Sequence, residues 1–149
     1  MDKLNLGCGN VIVPNAVNHD VVKHRPEVNV AWDLNKLPWP WKDCSFDLIM
    51  AKAVFEHLRL NLVESANECW RILRPGGLLY LKVPFWQHEK SYDDPTHYWR
   101  YTLKSCNVFD PETWEGRTYG FYTARKWKIV KGPELNSGKS SIHVTMMKR

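Results

Sequence analysis

Residues 46–84 read as a strand, a helix and a second strand, and that order constrains the fold more than any other feature. Phe46–Ala51 is an apolar run but for Asp47, behind the turn-like Lys42-Asp43-Cys44-Ser45, as expected of a strand buried on both faces. Leu60–Leu73 places Leu62, Ala66, Cys69, Trp70 and Leu73 at spacings of three and four, the period of an amphipathic helix. Pro75-Gly76-Gly77 stops that helix, and Leu78–Pro84 is the next strand. A helix between two such strands implies a mostly parallel sheet.

The flanking segments extend the pattern. Lys3–Leu6, Ala16–Val22 and Val28–Trp32 read as three short strands, and Leu37-Pro38-Trp39-Pro40-Trp41 as a loop broken by its prolines. Residues 85–102 are polar, aromatic and without periodicity, and 103–108 suit a short helix. Trp127–Val130 and Ile142–Met147 read as closing strands, antiparallel because no helical segment joins them. The expectation is one α/β domain over residues 1–149. It is Rossmann-like, a mostly parallel sheet with helices on both faces, a closing antiparallel pair and a reduced first crossover helix.

Composition serves mainly to exclude. No run approaches the roughly 20 apolar residues of a membrane span, and the N-terminus lacks the apolar core of a signal peptide. Cys8, Cys44, Cys69 and Cys106 form no Cys-x-x-Cys pair. A disulfide framework or zinc knuckle is therefore not suggested, and a reducing, cytoplasmic setting is expected. The net charge of +5 has its excess in residues 112–149. A basic segment can attract nucleic acid, but exposed lysines also blunt an edge strand, and the second reading is preferred. Most of the eight tryptophans should pack the core or a lid.

The chemistry concentrates at strand ends. The first strand runs into Gly7-Cys8-Gly9-Asn10, a turn that lets backbone approach a ligand closely. Asp20 ends the second strand and can accept hydrogen bonds from two ribose hydroxyls. Asp33, with Leu34 beside it, follows the third and can meet an adenine amino group and ring. A dinucleotide fingerprint is excluded. Its third glycine would fall at Ile12, and Asp20 follows Gly9 too closely for a pattern that needs about 20 residues. No Walker A lysine follows the loop either.

In that order these residues resemble the class I S-adenosylmethionine-dependent methyltransferases, of the small bacterial type with a methyltransferase domain 11. Leu4-Asn5-Leu6-Gly7-Cys8-Gly9-Asn10 resembles their first motif. Phe46-Asp47-Leu48-Ile49 followed by Val54-Phe55-Glu56-His57-Leu58 resembles their fourth strand and the helix after it. Glu68-Cys69-Trp70-Arg71-Ile72-Leu73-Arg74-Pro75-Gly76-Gly77 resembles the helix and turn before their fifth strand. The resemblance implies a seven-stranded sheet binding S-adenosylmethionine over the carboxyl ends of its first strands. It places Gly7, Cys8, Gly9 and Asn10 near the methionine part, Asp20 on the ribose, Asp33 and Leu34 on the adenine, and the Lys52 backbone nearby.

Three departures are visible. The chain starts at its first strand, so the family's N-terminal helices over the substrate are expected to have no counterpart. The segment from Gly9 to Asp20, with Pro14, is too short for a full crossover helix and should be a loop. A metal-using subset carries Glu-x-x-Glu-His after the fourth strand, whereas Ala53 stands here in place of the first Glu, so no metal is expected. The Asn/Asp-Pro-Pro-Tyr/Phe run of DNA amino-methyltransferases is replaced by Ala51-Lys52-Ala53-Val54.

Methyl transfer from a sulfonium is a direct displacement, which needs an in-line acceptor and a dry site. A hydroxyl acceptor also needs a base. His97 is the first choice, with Asp94 to orient it, and His57 and His88 follow. Asp94-Pro95-Thr96-His97 can equally be a structured turn. His19, His24 and His143 are expected to play no part, the first two being exposed. Trp86, Tyr92, Tyr98, Trp99 and Tyr101 crowd one segment, as an aromatic wall against a substrate or as a packed lid. Arg100 can meet an acidic substrate group. The Asp94–His97 stretch with Arg100-Tyr101-Thr102 also resembles small bacterial members acting on glycans or small molecules. The expected function is O-directed methyl transfer to such an acceptor, with no membrane partner and a homodimer as one means of covering the site. The alternatives are a non-catalytic cofactor-binding partner subunit and a nucleic-acid methyltransferase guided by the basic C-terminal segment.

Overall fold

Seven strands form one sheet in the computed structural model, which describes residues Met1–Arg149. They are β1 (Lys3–Leu6), β2 (Val17–Asp20), β3 (Val30–Ala31), β4 (Phe46–Lys52), β5 (Leu73–Pro84), β6 (Trp127–Leu135) and β7 (Ser141–Lys148), in the order β3-β2-β1-β4-β5-β7-β6. The first five pair in parallel, and β7 runs antiparallel to both β5 and β6. The sheet is the mostly parallel one expected, closed by an antiparallel pair. The order of successive strands reverses between β1 and β4, the switch point where open α/β sheets bind ligands.

The helical layer is thinner than the sequence suggests. α1 (Leu62–Ile72) opens on a capping box: Asn61 Oδ1 accepts from Glu64 N, and Glu64 Oε2 accepts from Asn61 N. Its buried side, Ala66, Cys69 and Ile72, joins one core cluster with Ile49, Ala51, Leu79 and Leu81 of the sheet. The chain passes straight from α1 into β5, and Pro75-Gly76-Gly77 forms a bulge between the pairs Phe46↔Leu73 and Leu48↔Leu78. The one other α-helix, α2 (Trp114–Tyr119), was not anticipated. The segment 103–108 yields only a 3-10 turn at Asn107–Phe109, and another at Phe55–His57 stands where a helix after β4 was expected.

Helices on both faces are therefore a correction. Leu48, Met50, Leu78, Tyr80 and Met147 alternate with the buried residues of β4, β5 and β7 and stay half-buried, with no helix over them. The connections among β1, β2, β3 and β4 are loops, because residues 7–16 are too few for a helical crossover and Pro14, Pro26, Pro38 and Pro40 interrupt the three segments.

Side chains do the helices' work. Asn18, buried in β2, accepts from Val13 N and Asn5 Nδ2 and donates to Val13 O, while Asn5 Nδ2 also donates to Val11 O. This network satisfies the 7–16 loop backbone. Trp39 fills the core below the β3–β4 loop and donates Nε1–H to Leu34 O at 2.9 Å.

Arg71 of α1 fastens that loop from the side. Its guanidinium donates to both Glu68 oxygens, to Asp43 Oδ1, and to the carbonyls of Trp39 and Trp41. Arg71→Ala strands the Glu68 carboxylate and two carbonyls in a mostly desolvated place. We expect about 2 kcal/mol of destabilisation in urea unfolding. A loss below ~0.5 kcal/mol would mean that tryptophan packing alone holds the loop.

Candidate active site

The turn after β1 is built on a left-handed residue. Gly7 has φ +56°, and a Cβ there would lie 2.5 Å from Val54 Cγ2, so the position needs glycine both for its backbone and for its neighbour. Gly7 N donates to His19 Nδ1 at 3.3 Å, and His19 Nε2 lies 2.9 Å from Trp32 O. The carbonyl can only accept, which fixes the proton on Nε2. His19 is buried in β2, contrary to the exposed position expected, and desolvation lowers its pKa. It ties the ends of β1, β2 and β3 together as a neutral ring.

Asp20 and Asp33 sit where the strand ends place them. Asp20 Oδ2 accepts from Gly9 N and Oδ1 from Val21 N, both at 2.7 Å. It anchors the glycine turn, and each oxygen keeps lone-pair capacity for a ligand hydroxyl. Asp33 Oδ1 accepts from the backbone and side chain of Asn35, and Leu34 is buried beside it. Gly7, Asp20, Asp33, Leu34, Val54 and His57 all line one cavity of about 380 Å³, with Trp32 and Asn35 among the other residues of its wall.

Other expected cofactor contacts lie elsewhere. Cys8 is buried, and burial raises its thiol pKa, so it is a packing residue. Gly9 bonds Asp20, and its carbonyl lies against His24 Nε2. The Asn10 carbonyl accepts from Arg25. Lys52 is exposed, with Nζ 5.9 Å from the centre of the Tyr80 ring. Ala53 and Val54, not Lys52, bring the end of β4 to the cavity wall.

The expected catalytic residues gather at one end of this cavity, in a different arrangement. The segment after β5 docks on the 3-10 turn: Tyr98 N donates to Glu56 O, and Trp99 Nε1 to Leu58 O. That brings the His97 ring within 4.6 Å of the His57 ring, at 74°. Asp94 does not orient His97. Its Oδ1 accepts from Thr96 N and Oγ1, and Thr96 Oγ1 lies 2.8 Å from His57 Nδ1. Since the Thr96 proton is committed to Asp94, Nδ1 of His57 donates and Nε2 carries the lone pair. His97 Nδ1 faces the Ser91 carbonyl at 3.3 Å, which leaves its Nε2 free too. Desolvation, then the His97 charge, lowers the His57 pKa, so the ring is neutral near pH 7. Hydrogen bonds from Thr96 hold Asp94 below the usual carboxylate range.

Glu56 is the residue that sequence reasoning misses. It is 1% exposed, and neither carboxylate oxygen has a hydrogen-bond partner. Desolvation, reinforced by Asp94, raises its pKa to about 7. Its sequence signals are its place beside His57 and the second Glu of the Glu-x-x-Glu-His pattern, which Ala53 interrupts. His19, Trp32 and Thr96 are missed likewise.

Four expected substrate contacts stand outside the cavity. Trp86 is 42% exposed, and His88 caps the turn at Glu89–Ser91 by accepting from Lys90 N. Arg100 stacks over Tyr92 at 4.6 Å. Tyr101 is buried with its hydroxyl unpaired and bridges Phe85. Only Tyr101 of the five aromatics is buried; Trp86, Tyr92, Tyr98 and Trp99 are exposed, on a flap held to the 3-10 turn by Tyr98 N and Trp99 Nε1.

Comparison with known proteins agrees with this geometry. Residues 12–81 match the family model of the methyltransferase domain. No curated protein matches the sequence. Among solved structures, the chain resembles the YcgJ protein of Bacillus subtilis (TM-score 0.62, 15% identity, over 99% of this chain and 92% of that one). It also resembles a SAM-dependent methyltransferase of Archaeoglobus fulgidus (TM-score 0.65, 14% identity, 99% and 86%). The [4+2]-cyclase SpnF is a third likeness (TM-score 0.64, 14% identity, 99% and 74%). At these identities the likeness is one of fold, and the cyclase shows that the fold alone does not fix the reaction.

Proposed function

We propose that this chain, whose residues 12–81 match the methyltransferase-domain model, transfers a methyl group from S-adenosylmethionine to a hydroxyl of a small molecule or glycan. The cofactor, S-adenosylmethionine, supplies an electrophilic methyl on a sulfonium. The residues present fit it. The Gly7 turn leaves open a space that a Cβ could not share with Val54, and two carboxylates stand at consecutive strand ends around the cavity. Asp20 would hold the ribose hydroxyls, and Asp33 with Leu34 the adenine.

The oxygen-directed reading rests on the cluster at the cavity's end. An attacking hydroxyl must lose its proton, and the lone pair fixed on His57 Nε2, with His97 and Glu56 beside it, favours that loss. The Thr96–Asp94 pair holds the ring in place. Nothing favours the nucleic-acid reading. Lys126 donates to the Gly120 and Thr123 carbonyls, Lys148 to Leu73 O, and Arg149 pairs with Glu112. Much of the basic excess is thus bound within the fold.

Calorimetric titration with S-adenosylmethionine tests the site. Asp20→Ala removes the ribose acceptor and the anchor of Gly9 N, and we expect ten- to hundredfold weaker binding. Equal affinity in the two proteins would remove Asp20 from the cofactor site. Mass analysis of products from hydroxyl-bearing acceptors then tests the acceptor atom. Methylation at nitrogen or carbon would overturn the oxygen assignment.

A further inference from the structure

Glu56, His57 and His97 each bring one metal-ligating atom within 4.8 Å of the other two. Every free atom in the cluster is an acceptor. Both Nδ1 atoms face oxygens, Thr96 Oγ1 and Ser91 O, so each ring has only its Nε2 lone pair to present. Glu56 adds two oxygens without a partner, on a side chain 1% exposed. Lone pairs converging from three groups in a desolvated place repel unless something positive lies among them.

We propose that these three residues hold a divalent first-row transition-metal ion, such as zinc, cobalt or manganese. Two imidazoles and a carboxylate are a donor set for such ions, whereas magnesium and calcium prefer oxygen alone. A proton is a poorer answer, because a protonated Glu56 would still leave one oxygen buried and unpaired. The support behind the ligands points the same way. A ring whose Nδ1–H is held by a threonine hydroxyl, itself held by a carboxylate, has the tautomer and orientation of a metal-bound histidine. Ala53 contributes nothing. His97 completes the set, brought over by the docking of the flap on the 3-10 turn.

His57 also lines the cavity, so the ion's remaining positions are reachable from it. With the ion bound, His57 Nε2 is a ligand and no longer the base; the ion would bind the acceptor hydroxyl and lower its pKa. The proton leaves to solvent, the oxygen keeps the electron pair that forms the new bond to the methyl carbon, and that carbon's bond to the cofactor sulfur breaks with its electron pair left on sulfur. This last role rests on the methyl-transfer reading, but ion binding does not.

The experiment is titration of Co(II) into the metal-free full chain, without cofactor or acceptor, followed by visible absorption and calorimetry. One ion per chain is expected, displaced by zinc. Glu56→Gln and His97→Ala should each abolish stoichiometric binding, and Thr96→Val should weaken it ten- to hundredfold. His88→Ala, outside the cluster, should bind like the parent, and circular dichroism checks that every variant is folded. No stoichiometric binding, or binding retained in both folded ligand variants, overturns the site. Ion binding with no methyl transfer would sink the catalytic reading alone.

Discussion

Gly7→Ala is expected to destabilise the protein by about 3–4 kcal/mol and to weaken S-adenosylmethionine binding about a hundredfold. Two costs combine. An alanine held at φ +56° loses roughly 1–2 kcal/mol against glycine, and a methyl 2.5 Å from Val54 Cγ2 adds about 1–3 kcal/mol of overpacking. Relief of the clash moves either Val54, which lines the cavity, or the turn whose amides reach His19 and Asp20. Both displacements spoil the same cavity. Val54→Ala removes the two methyls in conflict, so the double variant should recover the steric part and keep only the backbone cost. Denaturant unfolding and calorimetry of the four proteins in this cycle give the coupling. Strict additivity would mean that Val54 and residue 7 do not meet, and would contradict the packing of this turn.

That turn also shows what the sequence could and could not reveal. The Gly7–Asn10 turn and the acids Asp20 and Asp33 are legible because their meaning is local: each lies at the end of a short apolar run, where a parallel sheet binds ligands. The antiparallel closing pair is legible for the same reason, as two apolar runs with only a turn between them. The helical cover over the far face of the sheet was misjudged, since the resemblance carries the family's full set of crossovers. The loops that replace them are held by Asn5, Asn18 and Trp39 through contacts between distant residues. Asn in a strand has low propensity and no pattern of its own. The pairing of Asp94 with His57 through Thr96, in place of His97, is equally non-local. Which histidine the Asp94 turn serves depends on how the 94–99 segment folds over β4, and no spacing records that. Glu56 is hardest of all, because its surroundings include the distant Asp94 and Tyr98, which adjacency in sequence does not record.

Burial of Glu56 makes stability depend on pH between about 4.5 and 7. Its carboxyl moves from an ordinary 4.5 to about 7 on folding. Between those values the native protein holds a proton that the unfolded chain has released, so stability falls as pH rises through that window. Below about 4.5 both states are protonated, and above about 7 both are ionised with the penalty complete. The window is worth roughly 3 kcal/mol. Glu56→Gln keeps the shape and cannot ionise. The variant should therefore gain on the wild type by about 3 kcal/mol between pH 4.5 and 8, whatever fixed cost its buried amide adds. Urea unfolding across that range, in chelator, measures the difference. Chelator matters because a cation bound to the carboxylate favours its ionised form and would flatten the slope. A pH-independent gap between the two metal-free proteins would mean that Glu56 stays ionised in the fold. Its oxygens would then have to be satisfied by a positive partner that belongs to the chain itself.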